Sequence, residues 1–344
     1  MAYTAINDPQ KHFNTVLYTG NQISHPIVGV GFQPDLLYQK VRSHAGTPVV
    51  YDSTRGNTKQ METDDARTES TQNTMVSSFD SDGFTMGTDT GGNQIAKTYV
   101  SWNWLANGGT TSSNSNGSIT STVQANTTAG FSIVSYVGTN SDATIGHGLG
   151  AVPKMIIVKN REATQNWGVY HESLGNDTIL QLDVTNAEWD TDVFDDTTPT
   201  STVFSIGGGH GISNGSSQNH IAYCFTPIQG YSKFGSYRGN ENNGDGTFVY
   251  TGFSPAFIMV KNTERAQNWS IHNNKMPGYN PLAQRLQANL TDAVSTNNPV
   301  DFLSNGFKWR SNDGDTNGYT HIHIYAAFAE SPFVTSNGTP TNAR

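Results

Sequence analysis

One pattern recurs three times along this chain and limits the folds it can adopt. In two stretches a Tyr-x-Gly step is followed by a Pro, by a Lys six residues after the Pro, and by a Trp eight residues after the Lys. The two series are Tyr136, Gly138, Pro153, Lys159 and Trp167, and Tyr237, Gly239, Pro255, Lys261 and Trp269. A more diverged copy opens the chain with Tyr18, Gly20, Pro34 and Lys40. Matched spacing of this kind indicates a tandem repeat in which each copy folds as the same unit.

The second halves of the copies also correspond, and they set the boundaries. The Phe, Gly and Phe at positions 79, 83 and 84 return at 302, 306 and 307, and each copy ends in an aromatic run. We define unit 1 as 13–106, unit 2 as 118–229 and unit 3 as 230–334, with an N-terminal arm (1–12) and a C-terminal tail (335–344). Residues 107–117 are rich in Gly, Ser, Thr and Asn and predict a linker. Units 2 and 3 have no linker between them and are expected to pack as one rigid body.

The residues within the units favour strands. Gly occurs 35 times and charged residues make up 14% of the chain, so helix formers are scarce and turn formers abundant. A Pro at the head of an apolar run suits the start of a buried strand, because that residue need not donate to the sheet. The pattern predicts an all-β fold of tandem antiparallel β-sandwich units in three diverged copies. One short helical turn at most is expected, around Asn280 and Pro281.

The repeat predicts a core for each unit as well. Pro34, Pro153 and Pro255 should begin equivalent strands. Apolar residues within these strands, or their immediate neighbours, should pack with the aromatic residue that closes the unit: Leu37 with Trp104, Ile157 with Phe225, and Met259 with Phe328. Cys224, the only cysteine, is interpreted as a small buried hydrophobic residue.

Composition argues against several classes of protein. The formal net charge is −9 and the 19 Lys and Arg residues are dispersed, so nucleic-acid binding is not expected. A single cysteine gives neither a disulfide framework nor a cysteine-based zinc site. No apolar run approaches the roughly 18 residues of a membrane span, and the N-terminus lacks the features of a signal peptide. The sequence therefore predicts a protein made and assembled in a cytoplasm, without membrane insertion.

Three sets of histidines are candidate sites. His147 lies between two glycines, but the other copies have no His there, which favours a turn over a catalytic role. His171 and His272 follow the repeated Trp by what we interpret as equivalent steps, and a structural role is favoured over a catalytic one. His321 and His323 should lie on one face of a strand. In a three-fold assembly they could form a transition-metal site, although a solvated strand face is the default.

The remaining candidate sites are two loops rich in oxygen ligands and the carboxylates of a possible glycosidase. Loops 190–196 and 312–318 carry oxygen ligands at the short spacing that calcium uses, although turn chemistry also explains them, so calcium binding is left open. No nucleophile elbow, P-loop or dinucleotide fingerprint is present. A glycosidase would need two carboxylates about 5 to 9 Å apart, and nothing singles out a pair. We therefore assign no catalytic, cofactor-binding or metal-binding residues, expect no cofactor, and predict a protein that is not an enzyme.

Several segments together carry a resemblance. Residues 128–136, 146–150, 154–159, 234–237 and 248–253 resemble a tandem-repeat family found in virion proteins of marine tailed bacteriophages. Members are described as fibre-like or as having a concanavalin-like lectin fold. The resemblance covers nearly the whole chain and implies lectin-like or jelly-roll-like sandwiches in a structural protein of the virion. It carries over no site residues.

The sequence and the resemblance together predict a tail-fibre-like or adhesin-like protein that recognises the host. Exposed loops such as 240–246 and 313–318 would contact a host surface glycan or receptor, and other tail or capsid proteins would be partners. A capsid decoration or head-fibre protein is the alternative, and a polysaccharide depolymerase is less favoured. A homo-oligomer, with a trimer favoured, is expected because repeated contacts multiply weak binding. The position on the particle, the ligand and the symmetry are left open.

Overall fold

A computed structural model describes residues 4–276 and 278–341 of the chain. Residues 1–3 of the predicted arm and 342–344 of the predicted tail lie outside the described residues. The arm contains a short 3₁₀ turn, Pro9–Lys11.

The described strands and helices are grouped by the three units defined from the sequence. Unit 1 contains β1 (Phe13–Thr19), β2 (His25–Val28), β3 (Leu36–Val41), β4 (Val49–Asp52), β5 (Lys59–Glu62), β6 (Ser70–Thr71), β7 (Val76–Asp80), β8 (Gly83–Met86), α1 (Thr90–Asn93) and β9 (Thr98–Trp104). Unit 2, with the segment before it, contains β10 (Ser112–Asn114), β11 (Ser121–Asn126), β12 (Phe131–Val137), β13 (Ala143–Gly146), β14 (Met155–Asn160), β15 (Gly168–His171), β16 (Thr178–Gln181), β17 (Trp189–Asp190), β18 (Val203–Ile206), α2 (Gly211–Asn214) and β19 (Asn219–Phe225). Unit 3 contains β20 (Ser232–Arg238), β21 (Phe248–Tyr250), β22 (Phe253–Asn262), β23 (Ser270–Asn273), β24 (Leu286–Gln287), β25 (Val300–Leu303), β26 (Gly306–Trp309) and β27 (Ile322–Pro332).

Each unit is an antiparallel sandwich of a large and a small sheet, which confirms the predicted fold class. The large sheets have the orders β1-β9-β3-β4-β5-β6, β10-β11-β12-β19-β14-β15-β16-β17 and β20-β27-β22-β23-β24. The small sheets have the orders β2-β8-β7, β13-β18 and β21-β26-β25. In every large sheet the last long strand of the unit lies between two strands from its first half. That long-range pairing closes each unit.

The three large sheets share one pairing register. The residue two positions after the repeated Pro pairs with the closing aromatic in each: Leu36 with Trp104, Met155 with Phe225, and Phe257 with Phe328. This register confirms that the prolines occupy equivalent positions. None of them begins its strand, because β3 and β14 start two residues after Pro34 and Pro153, whereas β22 starts two residues before Pro255. The prediction allowed for immediate neighbours of Leu37, and it is these neighbours, Leu36 and Tyr38, that lie in one core with Trp104. Leu37 faces the core of unit 1, and Tyr38 is the counterpart of Ile157 and Met259.

The repeated Tyr-x-Gly step has a packing explanation. Its Tyr stacks on a ring of the last strand at centroid distances of 5.1 to 5.2 Å: Tyr18 on Tyr99, Tyr136 on His220, and Tyr237 on His323. A Cβ on the following glycine would lie 2.3 to 2.7 Å from backbone atoms, at Gly20, Gly138 and Gly239. Only glycine fits such a close backbone approach.

The outer faces of the three large sheets meet in one central apolar core. Unit 1 contributes Trp102, unit 2 contributes Ile157 and unit 3 contributes Met259, and each is at most 8% exposed. The prediction that Ile157 and Met259 lie in the core of their own unit is therefore wrong, because they face the core between the units. A small apolar cavity of about 60 Å³ lies in this core and is lined by residues of all three units. All three units, and not only units 2 and 3, therefore pack as one body.

Hydrogen bonds join the units in a ring. Three side chains each donate to a backbone carbonyl of the neighbouring unit: Trp167 Nε1 to Glu62 O at 2.8 Å, Trp269 Nε1 to Gln181 O at 2.8 Å, and Thr63 Oγ1 to Ala288 O at 2.7 Å. The third bond closes the ring between units 1 and 3. Unit 1 has Pro48 at the position of the tryptophans, as shown by the bond from Thr63 N to Pro48 O, so a different side chain makes this closure.

The repeated Lys lies at the margin of the central core. Lys40, Lys159 and Lys261 are each 0% exposed. Lys159 Nζ donates to Ala66 O of unit 1 at 2.8 Å, and Lys40 Nζ donates to Leu290 O of unit 3. Burial lowers the pKa of all three ammonium groups to about 8. These lysines bond backbone carbonyls, which explains why the repeat retains them.

Two further expectations concern local structure. The segment predicted as a linker contains β10, which pairs with β11 and extends the large sheet of unit 2. No helical turn forms at 280–286, where the Asn280–Pro281 peptide is cis. The longest described helices have four residues, and none is long and apolar enough to cross a membrane. Cys224 is fully buried in the core of unit 2, as predicted.

Candidate functional site

A polar groove of about 390 Å³ lies on unit 3. One wall is formed by residues 274, 275 and 278–280 of the loop that follows β23, and the opposite wall is the turn between β25 and β26. Its floor is formed by the start of β22 and the end of β27. The groove is therefore built where both sheets of the unit end on the same side.

Hydrogen bonds hold the loop at both ends. Asn273 Oδ1, at the end of β23, accepts from the backbone N–H of Lys275 and of Met276, both at 3.1 Å. At the other end Asn280 Nδ2 donates to Phe302 O at 2.7 Å, and Phe302 N donates to Asn280 Oδ1 at 2.9 Å. Anchored in this way, the loop presents Lys275, Gly278 and Tyr279 to the groove.

Tyr279 is the most exposed aromatic residue of the groove. Tyr279 is 73% exposed, which is the largest exposed fraction of any large hydrophobic residue in the described part of the chain. An aromatic ring with one polar end stacks well on ligands that are themselves part apolar and part polar. The ring face beside a polar groove is therefore a suitable surface for the C–H face of a sugar.

The polar side chains of the groove include Asn274, Lys275 and Glu330. Asn274 Oδ1 is buried and has no hydrogen-bond partner among the described residues. Lys275 Nζ lies 3.7 Å from Glu330 Oε1, which also accepts from Gln10 Nε2 at 2.9 Å. Leaving this acceptor unpaired costs free energy. Because the oxygen has almost no exposed surface, a ligand hydroxyl would remove that cost only after the Asn274 side chain turned towards the groove. Within the described lining, Glu330 is the one carboxylate.

The interpretation of His147 as a turn residue is confirmed. The ring is buried, and its Nδ1 accepts from Leu149 N at 3.2 Å. Its Nε2 lies 3.2 Å from Thr200 O. Burial lowers the pKa of this imidazole, which keeps it neutral in a structural role.

The predicted equivalence of His171 and His272 is wrong. His171 pairs with Met155 in the sheet, whereas the counterpart of Met155 in unit 3 pairs with Asn273. The two histidines are therefore offset by one residue and face opposite sides of their sheets. His171 Nε2 lies 3.3 Å from Tyr325 O of unit 3, and His272 packs against Trp309 with ring centroids 5.4 Å apart.

The solvated strand face predicted for His321 and His323 is also wrong. His323 is 0% exposed because it stacks on Tyr237 inside unit 3. His321 precedes β27 and lies 3.9 Å from Glu264. β27 is buried on both faces of its sheet, so it has no solvated face on which the two histidines could lie.

The two oxygen-rich loops have internal partners. Arg285 Nη1 donates to Asp313 at 3.1 Å and to Asp315 at 2.9 Å. The carboxylates of the second loop are therefore paired with a guanidinium and not free to bind calcium. Asp192 of the first loop pairs with His210. The described residues include no group of three or more His, Cys, Asp or Glu side chains placed to hold a metal ion.

The binding loops predicted from sequence differ in exposure. Thr316 and Asn317 are 0% exposed, so the expectation of an exposed tip at 313–318 is wrong. Asn317 Nδ2 instead donates to Asn240 Oδ1 at 2.9 Å and supports the other loop. Loop 240–246 does lie largely exposed.

Sequence analysis missed the groove, although one signal was available. The connection after β23 spans residues 274–285, whereas the equivalent connections span 53–58 in unit 1 and 172–177 in unit 2. An insertion confined to one copy of a repeat often forms a binding surface. Tyr279 lies in the middle of that insertion.

A comparison with protein families gives one match. Residues 8–332 match a family model described as "Domain of unknown function (DUF7483)". The match runs from the arm to the end of β27 and covers all three units. No curated protein matches the chain.

Proposed function

We propose that this chain, which belongs to the DUF7483 family, is a non-catalytic structural protein of a tailed-bacteriophage virion that binds a host surface glycan. The observation that carries the ligand class is the exposed Tyr279 ring beside the polar groove of unit 3. The resemblance of the repeat to virion proteins supports the location. Binding of a glycan in the groove and on the Tyr279 ring requires no catalytic side chain.

The groove offers a sugar both of the contacts that it requires. Tyr279 stacks on the apolar face of the ring, and the Asn274 side chain, which lines the groove, turns its amide towards a hydroxyl. Lys275 and Glu330 add a donor and an acceptor at the rim. A single shallow site of this kind binds weakly, so repeated sites on a particle would supply the working avidity.

Replacing Tyr279 with alanine is expected to weaken glycan binding about tenfold, because the stacking surface is lost. Binding would be measured on an array of bacterial surface polysaccharides and by calorimetry with the best of them. Trp189→Ala is the matched control, since Trp189 is an aromatic residue of unit 2 that is 44% exposed. Equal losses in the two variants, with unchanged thermal unfolding, would contradict a site at the groove.

The same polysaccharide separates binding from hydrolysis. The wild-type protein should bind it without releasing new reducing ends, because one carboxylate cannot serve as both acid and nucleophile or base. Release of reducing ends that is abolished by Glu330→Gln or by another single acid substitution would establish a depolymerase instead.

A capsid decoration protein is the second candidate, and the closed ring of units favours it. Every strand of the described chain belongs to one of the three sandwiches around the central core, which leaves no extended shaft among these residues. Sedimentation with host envelopes and with empty capsids distinguishes the two. An adhesin sediments with envelopes, and a decoration protein sediments with capsids. The trimer expected from sequence stays a prediction.

A further inference from the structure

The small sheets of the three units have equivalent edge strands: β2, β13 and β21. In each edge strand we compare the residue that comes directly before the apolar residue paired with a buried Phe. It is Pro26, Thr144 and Phe248, which pair with Thr85, Ser205 and Lys308. An unpaired edge presents free N–H and C=O groups to other chains, and proteins usually protect it.

Two of the three edges are protected. Pro26 in β2 has no N–H to offer. In unit 2 the chain covers its own edge, since Ile119 N donates to Thr144 O at 3.1 Å and Thr144 N donates to Ser118 Oγ at 2.9 Å.

The edge of unit 3 is open at Phe248. Thr247 O accepts from Trp309 N at 3.2 Å, and Thr251 N donates to Asn305 O at 2.9 Å, so the odd-numbered residues bond towards β26. Alternation in an antiparallel pair therefore points the N–H and C=O of Phe248 away from the sheet.

The side chains at this edge are also exposed. Phe248 is 43% exposed and Tyr250 is 55% exposed. Tyr250 O, the next carbonyl along β21 that points away from the sheet, accepts a hydrogen bond from Lys233 Nζ at 2.7 Å. Phe248 is thus the one residue of β21 with both backbone groups open, beside an apolar surface.

We propose that β21 is a self-association edge at which a second copy of this chain pairs about a two-fold axis centred on Phe248. In the antiparallel register, Phe248 N–H of each copy donates to Phe248 C=O of the other. Both open groups are then satisfied without moving Lys233. A two-fold interface is self-complementary, so one open residue supplies both halves of the contact.

The side chains fit this register. The two Phe248 rings become direct cross-strand neighbours, and such aromatic pairs stabilise antiparallel strands. Tyr250 lies opposite Gly246 of the second copy, where its ring covers a residue without a side chain. The turn at Gly244 comes opposite Gly252, beside a cavity of about 220 Å³ that Phe333 and Tyr250 help to line. A glycine turn is small enough to approach it.

Light scattering of the full chain at about 100 µM tests the proposal, because a small interface of this kind should have a Kd of about 10 µM. We expect a species of two chains. Phe248→Pro should give one chain, since it removes the N–H. Pro26 shows that the fold accepts proline at this position, so the thermal midpoint should change by less than about 3 °C.

A second variant tests the same edge without introducing a proline. Phe248→Asp keeps the N–H but places two carboxylates directly opposite each other across the axis, on residues whose Cα atoms are about 5.5 Å apart, and it should also give one chain. Val28→Asp, on the exposed β2 edge of unit 1, is the matched control and should leave the two-chain species intact. A wild-type species of one or three chains, or a pair that survives both Phe248 variants, would overturn the proposal. Glycan binding by a single groove is independent of these outcomes.

Discussion

Replacing Phe328 with alanine is expected to lower the free energy of unfolding by about 3 to 5 kcal/mol. Phe328 is 3% exposed in the central core. Its ring lies 5.1 Å from Phe13 of unit 1 and 5.9 Å from Phe225 of unit 2, so one side chain joins all three units. Truncation would enlarge the existing cavity of about 60 Å³, and rings held by three sheets cannot easily collapse into it.

Urea unfolding at neutral pH measures this loss. Phe333→Ala is the control, because Phe333 is 37% exposed and its truncation should cost less than about 0.5 kcal/mol. A loss below about 1 kcal/mol at Phe328 would mean that the central core is not what holds the units together.

Acid is expected to destabilise the protein strongly between about pH 6.5 and pH 4. Burial lowers the pKa of His171, His220 and His323 to about 4 and that of His272 to about 3. In the unfolded chain these groups titrate near pH 6.5. Between the two values the unfolded state binds more protons, so stability falls as the pH falls. Each pKa unit corresponds to about 1.4 kcal/mol, and four histidines together should cost at least about 5 kcal/mol by pH 4.5.

Unit 1 suggests the variant that tests this. Tyr99 stacks on Tyr18 at the position that His220 and His323 occupy in the other units. The double variant His220→Tyr and His323→Tyr should therefore fold, and it should lose about half of the slope of unfolding free energy against pH. His44→Tyr, at a partly exposed position, should keep the full slope. An unchanged slope in the double variant would show that other groups cause the acid sensitivity.

Much of the fold could be predicted from local spacing. The Pro-to-Lys interval fixes the register of β3, β14 and β22, since each Lys then reaches the same position opposite the last strand. The run from Met155 to Val158 is apolar at every position. Such runs indicate burial on both faces of a sheet, which is what the central core provides.

The arrangement of the units could not be predicted in this way. Trp167 bonds Glu62 across 105 residues, and no local pattern identifies that partner. The groove at Tyr279 depends on an insertion present in one copy, so the repeat gives no template for it. The contrast between Pro26 and Phe248 becomes meaningful only when the strand pairing places them at equivalent edges.

Closure of the ring between the first and last units also sets an order of events during synthesis. Trp102 and Trp104 of unit 1 face the central core, and Phe257 and Phe328 of unit 3 cover them. About 230 residues are translated between the end of β9 and the end of β27, which takes roughly 10 to 50 s at the usual rates of translation. Through that interval the nascent unit 1 carries an uncovered tryptophan face. The speed of translation through units 2 and 3, and the supply of chaperones that shield such a face, should therefore control how much of the protein folds without aggregating.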